Sequence, residues 1–325
     1  MMSNRMPSRR RLKCQHRGLT LFELVVVLAI LAATATAAAV ATERILLQRR
    51  NELTTATLDA VRGSLLGKYG RTEEIPTLAT PANDTSIDGF IADLGRLPVA
   101  IGNQPSLQLA ELWQQPTGIS AYGVKTAAGD PEVTLACGWR GPYLDLPIGG
   151  NRLLDGFGNE MLILTDDGSG NPVVAAAGDV IMGVTSLGSD GEIGVVHGEL
   201  PLAEDTTFWL GQSPASYRST VEVRVWENDG VGGRRVPSQS GDLMVRLYLP
   251  DPATGDVGFQ QSSLVSTPTS VAFQFPDVSI GRKVLRAYWI SSDGSSSVVS
   301  NVSPIAIQRG GETTFELILP TLPTP

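Results

Sequence analysis

The strongest pattern lies near the start of the chain. From Leu24 to Thr42, 19 residues pass without a charge. As an α-helix that stretch spans about 28 Å, close to the thickness of a bilayer's hydrocarbon core. It is apolar on every face. The next residues, ERILLQRRNELTTATLDAVRGSLLGKYG, are amphipathic instead: Leu58, Val61, Leu65 and Tyr69 fall three, four and four positions apart, on one helical face. No proline interrupts them and the first glycine is Gly63. The pattern predicts one helix from about Leu19 to about Tyr69, transmembrane over about 24–42 and amphipathic beyond.

After Gly70 the periodicity changes. Residues 71–88 are polar, with Pro76 and Pro81, and read as a linker. Between Gly89 and Pro116, Phe90, Leu94, Leu97, Leu107, Leu109, Leu112 and Trp113 mark short core-facing pieces between turns. Met161, Ile163 and Thr165 alternate with Leu162, Leu164 and Asp166, a strand ending at the turn Asp166–Asn171. Pro172 to Leu187 holds one or two more strands around a turn at Gly178–Asp179. From Ser213 the pattern is β alone: Val221/Val223/Val225, Leu243/Val245/Leu247/Leu249, Val271/Phe273/Phe275 and Phe315/Leu317/Leu319 each alternate with polar or outward residues. Further strands fit Lys283–Ile290, Ser297–Val302 and Ile305–Gln308. Six or seven short strands with turns between them imply a sandwich. The fold class is therefore α+β: a long N-terminal helix packed on a small antiparallel sheet, followed by an all-β sandwich-like domain. The expected boundaries are 1–18 (basic leader), 19–70 (helix), 71–212 (globular domain), 213–319 (sandwich) and 320–325 (disordered tail).

Charge sharpens this picture. Residues 1–18 carry Arg5, Arg9, Arg10, Arg11, Lys13 and Arg17 and no acid. Removing these six positive charges from the net charge of −8 leaves −14 on the remainder. Such a body does not suit nucleic acid, which needs cationic surface, but suits divalent cations. The basic leader holds the N-terminus in the cytoplasm and sends the chain beyond the helix across the membrane. A secretory signal peptide shares this plan, but its apolar run is shorter and the helix does not continue past it. The cysteines are Cys14, in the leader, and Cys137, which leaves no disulfide framework.

Glu23 stands alone at the head of the apolar run. A charge within the apolar layer costs about 2.5–3.5 kcal/mol, so it requires a partner. The run Gly18-Leu19-Thr20-Leu21-Phe22-Glu23-Leu24 resembles the class III signal of type IV prepilins and type II secretion pseudopilins. The resemblance implies cleavage after Gly18 by prepilin peptidase, methylation of the new N-terminal Leu19, and a Glu23 carboxylate that meets the N-terminal amine of a neighbouring subunit. Leu19 stands where phenylalanine is commoner, and Phe22 where an aliphatic residue is. Further along, Gly141-Pro142-Tyr143-Leu144, Leu146-Pro147, Asp155-Gly156-Phe157-Gly158-Asn159, Ser186-Leu187-Gly188-Ser189-Asp190-Gly191, Glu204-Asp205 and Trp209 match, in order, the elements of the major pseudopilin of type II secretion, with Gly156-Phe157 in place of Pro-Trp. This resemblance implies one calcium ion held by the Leu187 carbonyl and the Asp190 and Asp205 side chains, with Glu204 as a weaker candidate. Mixed carboxylate and carbonyl oxygens are what calcium takes. The segment 271–319 loosely resembles transthyretin-like and carboxypeptidase-regulatory-like domains.

No enzymatic signature is present. His16 lies in the leader and His197 is the only histidine outside it. There is no nucleophile elbow, phosphate loop or metal-binding histidine pair. Asp166-Asp167 misses the EF-hand spacing and reads as a turn. The implied function is a structural subunit of a type II secretion pseudopilus or type IV pilus-like filament, located in the inner membrane with its globular part in the periplasm. Its expected partners are identical or related pilins, prepilin peptidase and an inner-membrane assembly platform. Two alternatives stand: a minor tip pilin whose β-domain binds a surface or secreted substrate, and a membrane-anchored binding protein that never polymerises.

Overall fold

A computed structural model describes residues 20–67, 89–146, 150, 152–192, 205–210, 217–237, 241–264, 272–308 and 312–322. The chain divides into two units, residues 1–49 and 50–325. Helix α1 runs from Leu21 to Leu66. It is the one helix among the described residues that is long and apolar enough to cross a membrane, with mean hydropathy 2.5 in its best window. From Leu21 to Leu46 its large apolar side chains are mostly exposed. The second half behaves differently: Leu58, Val61 and Leu65, the face read from the sequence, are buried against Phe90, Leu94, Leu112, Met161 and Ile163. The helix stops at Leu66; Tyr69 lies outside the described residues.

Beyond the helix come α2 (Phe90–Leu94), α3 (Pro105–Gln108), a 3₁₀ turn (Ala110–Leu112) and a hairpin of β1 (Gly123–Ala127) with β2 (Asp130–Cys137). An antiparallel sheet then forms from β3 (Leu162–Asp166), β4 (Pro172–Val174), β5 (Gly183–Thr185) and β6 (Thr207–Trp209), in the order β4-β3-β5-β6. Its core side chains and α1 share one apolar cluster, so the helix packs on this sheet as the pattern predicts.

The sandwich comprises β7 (Arg218–Asn228), β8 (Arg234–Arg235), β9 (Gly241–Pro250), β10 (Val257–Leu264), β11 (Ala272–Ser279), β12 (Gly281–Ser291), β13 (Ser297–Val299), β14 (Ser303–Ile307) and β15 (Glu312–Leu319). One sheet runs β10-β9-β12, with β13 and β14 both pairing β12; the other runs β11-β7-β15, with β8 on β7. All pairs are antiparallel except β15, which lies parallel to β7. The alternating residues Val221, Val223, Val225, Leu243, Val245, Leu247, Phe273, Phe275, Leu317 and Leu319 face inward and form its core. Strand β10 is not marked by the sequence pattern. It is an edge strand whose outward side chains meet water, so VGFQQSSL carries little alternation.

One expectation needs correction. The pattern places a disordered tail from residue 320, but Leu322 is 2% exposed within the sandwich core, and its N–H donates to the buried Glu227 carboxylate at 3.0 Å. Residues 323–325 lie outside the described set. The segment from residue 117 to Gly138 carries structure that the pattern above does not mark. Its β1–β2 hairpin packs Ala127, Val133, Leu135 and Cys137 on Tyr248 and Val284 of the sandwich. Asp130 at the hairpin turn is buried; it accepts from Arg286, from the Tyr248 hydroxyl at 3.1 Å and from the Tyr288 hydroxyl. The Val133-Leu135-Cys137 alternation after Gly129 is the signal that marks this hairpin. Cys137 is a fully buried free thiol.

Candidate functional site

The N-terminus of α1 is built around Glu23. Thr20 occupies the N-cap position: its carbonyl accepts from Leu24 N–H at 3.1 Å. Its hydroxyl accepts from Glu23 N–H at 3.3 Å, while Glu23 Oε2 accepts from Thr20 N–H at 2.8 Å and from the Thr20 hydroxyl at 3.1 Å. This is a capping box, the reciprocal pairing that satisfies two orphan amides of a helix start. The Thr-x-x-Glu spacing announces it in the sequence. Neutral hydrogen-bond donors for the Glu23 carboxylate are therefore present within the chain itself. Gly18 and Leu19 lie outside the described residues.

The second candidate site starts at a turn. Asp155 Oδ1 accepts from Phe157 N–H at 2.9 Å and Asn159 N–H at 2.8 Å, which closes the loop Asp155–Asn159. Gly156 lets this loop touch α1: a Cβ there would lie 1.8 Å from the Arg50 carbonyl oxygen. Gly156 N–H donates to Thr54 Oγ1 at 2.9 Å. The same turn reaches the Ser186–Gly191 loop. The Ser186 hydroxyl donates to Asp155 Oδ2 at 2.7 Å, and Asn159 Nδ2 donates to the Gly188 carbonyl at 2.6 Å. Asp155 and Asn159 are thus supports of that loop, a role the pseudopilin-like motif does not by itself assign them.

Strand pairing runs up to the segments that carry two of the three expected calcium ligands, Leu187 and Asp205. Thr185 pairs with Thr207, and Ser186 N–H donates to the Thr206 carbonyl at 2.9 Å. Beyond this pairing the chain continues to Leu187 on one side and from Asp205 on the other. Asp190 stands three residues further along the loop; its Oδ1 accepts from Glu192 N–H at 3.1 Å. The Leu187 carbonyl accepts from Gly191 N–H at 3.2 Å and keeps a second lone pair. Among the described residues no group of three or more His, Cys, Asp and Glu side chains converges on a metal position. Glu204 and His197 lie outside the described residues. The Asp166–Asn171 segment is a turn, with Asp166 and Asp167 each accepting two backbone N–H bonds.

Two buried ionisable groups sit where α2 meets β12. Burial pushes the Asp93 carboxyl up to about 7, against the lowering effect of the Tyr143 hydroxyl at 3.0 Å. Burial pushes the Lys283 ammonium down to about 7. Lys283 Nζ donates to the Ile280 carbonyl at 3.2 Å. Neither group borders the two candidate sites.

With this geometry in view, residues 13–39 match the family described as the prokaryotic N-terminal methylation motif, the signal of type IV pilins and pseudopilins. The match covers the end of the basic leader, Gly18, Glu23 and most of the apolar part of α1. No curated protein matches the chain. Among solved structures, the minor pilin GBS52 of the gram-positive pathogen Streptococcus agalactiae aligns at 13% identity and TM-score 0.23, over 46% of this chain and 71% of that one. A proposed carbohydrate binding protein from Pseudomonas aeruginosa aligns at 7% identity and TM-score 0.20, over 32% of this chain and 90% of that one. Superpositions this loose do not bear on function.

Proposed function

We propose that the chain is a structural subunit of a pilin-type filament, a type II secretion pseudopilus or a type IV pilus-like fibre. The observation that carries this reading is the methylation motif at residues 13–39, coincident with a helix whose apolar side chains from Leu21 to Leu46 have no cover. Apolar surface of that extent needs lipid or other helices around it. In this reading α1 anchors the precursor in the inner membrane with its body in the periplasm. Prepilin peptidase cuts after Gly18 and methylates Leu19, and α1 then packs with the helices of identical or related pilins. The capping box holds Glu23 while the subunit waits in the membrane; on assembly the carboxylate turns to a neighbour's Leu19 amine and fixes register. The reading is assembly, not catalysis.

The intact mass and N-terminal residue of the protein purified from membranes test this. A chain that begins at N-methylated Leu19 supports it. A chain that still carries Met1, or is cut near Thr42, removes it and leaves an anchored or secreted β-domain protein. Abundance in sheared filaments separates a major subunit from a tip subunit.

A calcium ion at Leu187, Asp190 and Asp205 is a second part of the proposal. It is favoured by the pairing of Thr185 with Thr207, beyond which the chain continues to Leu187 on one side and from Asp205 on the other. A bound ion would tie the 186–191 loop to β6 through oxygen ligands, the rest of its shell filled by carbonyls and water. Calcium should raise the melting temperature of the wild type and not that of Asp205→Asn. Equal response of both proteins would remove the site.

A further inference from the structure

The outer face of the β10-β9-β12 sheet is covered at one end by the β1–β2 hairpin and, among the described residues, half-open at the other. From the hairpin's edge outward the register sets Phe259 opposite the buried Tyr248, Gln261 opposite Arg246 and Ser263 opposite Met244. Across the next pair Arg246 lies opposite Arg286, and Met244 opposite Tyr288. The Arg246 guanidinium sits 4.7 Å from the Phe259 ring centroid and 4.9 Å from that of Tyr288, within cation–π distance of both rings. Its Nε donates to Gln261 Oε1 at 3.0 Å.

The two neighbouring arginines differ in one respect. Arg286 is neutralised by Asp130 and Glu132 from the hairpin. Arg246 makes no ion pair among the described residues, and its two terminal amino groups have no protein acceptor there. A flexible, hydrated guanidinium normally loses rotamer freedom when it binds. Here two rings and an amide have already fixed it, with its planar fork left for an anion. Beside it Phe259 is 47% exposed. Gln261 and Ser263 are exposed as well and succeed Phe259 at alternate positions, roughly 7 Å apart along the edge strand.

We propose that this platform binds a carboxylated saccharide, a polymer of uronic acid type. The carboxylate pairs side-on with the free Arg246 amino groups. The apolar face of a sugar ring lies against the open side of Phe259, and hydroxyls meet the Gln261 amide and the Ser263 hydroxyl. The unpaired Arg246 fork selects a carboxylate locally, although the body as a whole is acidic, and the flanking ring, amide and hydroxyl select a polyol. The proposal is independent of filament assembly, since the site lies wholly within the sandwich.

The test is calorimetric titration of the detergent-solubilised full chain with oligogalacturonate, with neutral oligogalactose and polyglutamate as comparators. Oligogalacturonate should bind at least 10-fold more tightly than either comparator. Arg246→Met and Arg246→Lys should each lose at least 10-fold, because a lysine keeps the charge but not the fork. Gln261→Ala, at an exposed edge position, should lose severalfold and decides the matter if the Arg246 variants do not fold. No binding by the wild type, equal binding of the neutral oligomer, tighter binding of polyglutamate, or unchanged binding by the Gln261 and Arg246 variants would each overturn the proposal.

Discussion

Gly156→Ala tests the argument that connects the helix to the candidate calcium loop. The added Cβ would lie 1.8 Å from the Arg50 carbonyl oxygen and 2.7 Å from its carbon. Ordinary contact needs about 3.5 Å, so the loop must retreat from α1 by roughly 1.5 Å. The Gly156–Thr54 hydrogen bond of 2.9 Å does not survive that shift. Overpacking of this kind costs about 1–3 kcal/mol and a lost hydrogen bond about 0.5–1.5 kcal/mol. The expected loss is about 2–4 kcal/mol, read from urea unfolding by tryptophan fluorescence of the detergent-solubilised protein. Amide exchange at Ser186 and Gly188 should quicken at the same time, because Asp155 and Asn159 anchor that loop. Gly63→Ala is the companion variant. Gly63 sits inside α1 with nothing within 4 Å of a built Cβ, so alanine there should stabilise by about 0.5–1 kcal/mol. A loss below about 0.5 kcal/mol for Gly156→Ala, or the same sign for both variants, would refute the reasoning.

Lys283 titrates near 7 in the fold and at about 10.4 when unfolded, so between those values the unfolded chain binds more protons and stability rises with pH. Lys283→Met should be about 2–4 kcal/mol more stable at pH 7 and lose the rise between pH 7 and 10, as pH-dependent unfolding curves would show. Asp93 has the opposite sign: its folded value lies above the unfolded one, so its penalty grows from pH 4 to 7, and Asp93→Asn should flatten that decline. Asp130→Ala strips the acceptor from Arg286, Tyr248 and Tyr288 and should cost about 3 kcal/mol in equilibrium unfolding. Leu322→Ala should cost about 2–4 kcal/mol by the same measurement; no change would return the C-terminal residues to the status of a loose tail.

The sequence alone was enough for features whose cause is local. The uncharged run from Leu24 to Thr42 fixes a membrane-length helix because an apolar surface on every face has no place in water. The spacing of Leu58, Val61 and Leu65 fixes which face of the later half is buried. Period-two alternation fixes the central strands of the sandwich, where one face meets the core. The methylation motif at residues 13–39 is legible for the same reason: such a signal is read as linear sequence. The Thr20–Glu23 cap also has a local cause, its partners three residues apart, although the pattern reading above does not mark it. Other features depend on groups brought together from distant parts of the chain. Edge strand β10 carries no clear alternation, because its outer side chains face water. That Asp130 serves Arg286 across 156 residues, or that Leu322 closes the sandwich, depends on packing that no local period encodes. In the sequence Gly156 stands only as a departure from the resembled motif. Only the approach of the Arg50 carbonyl shows that it is there because a side chain would push the loop off the helix.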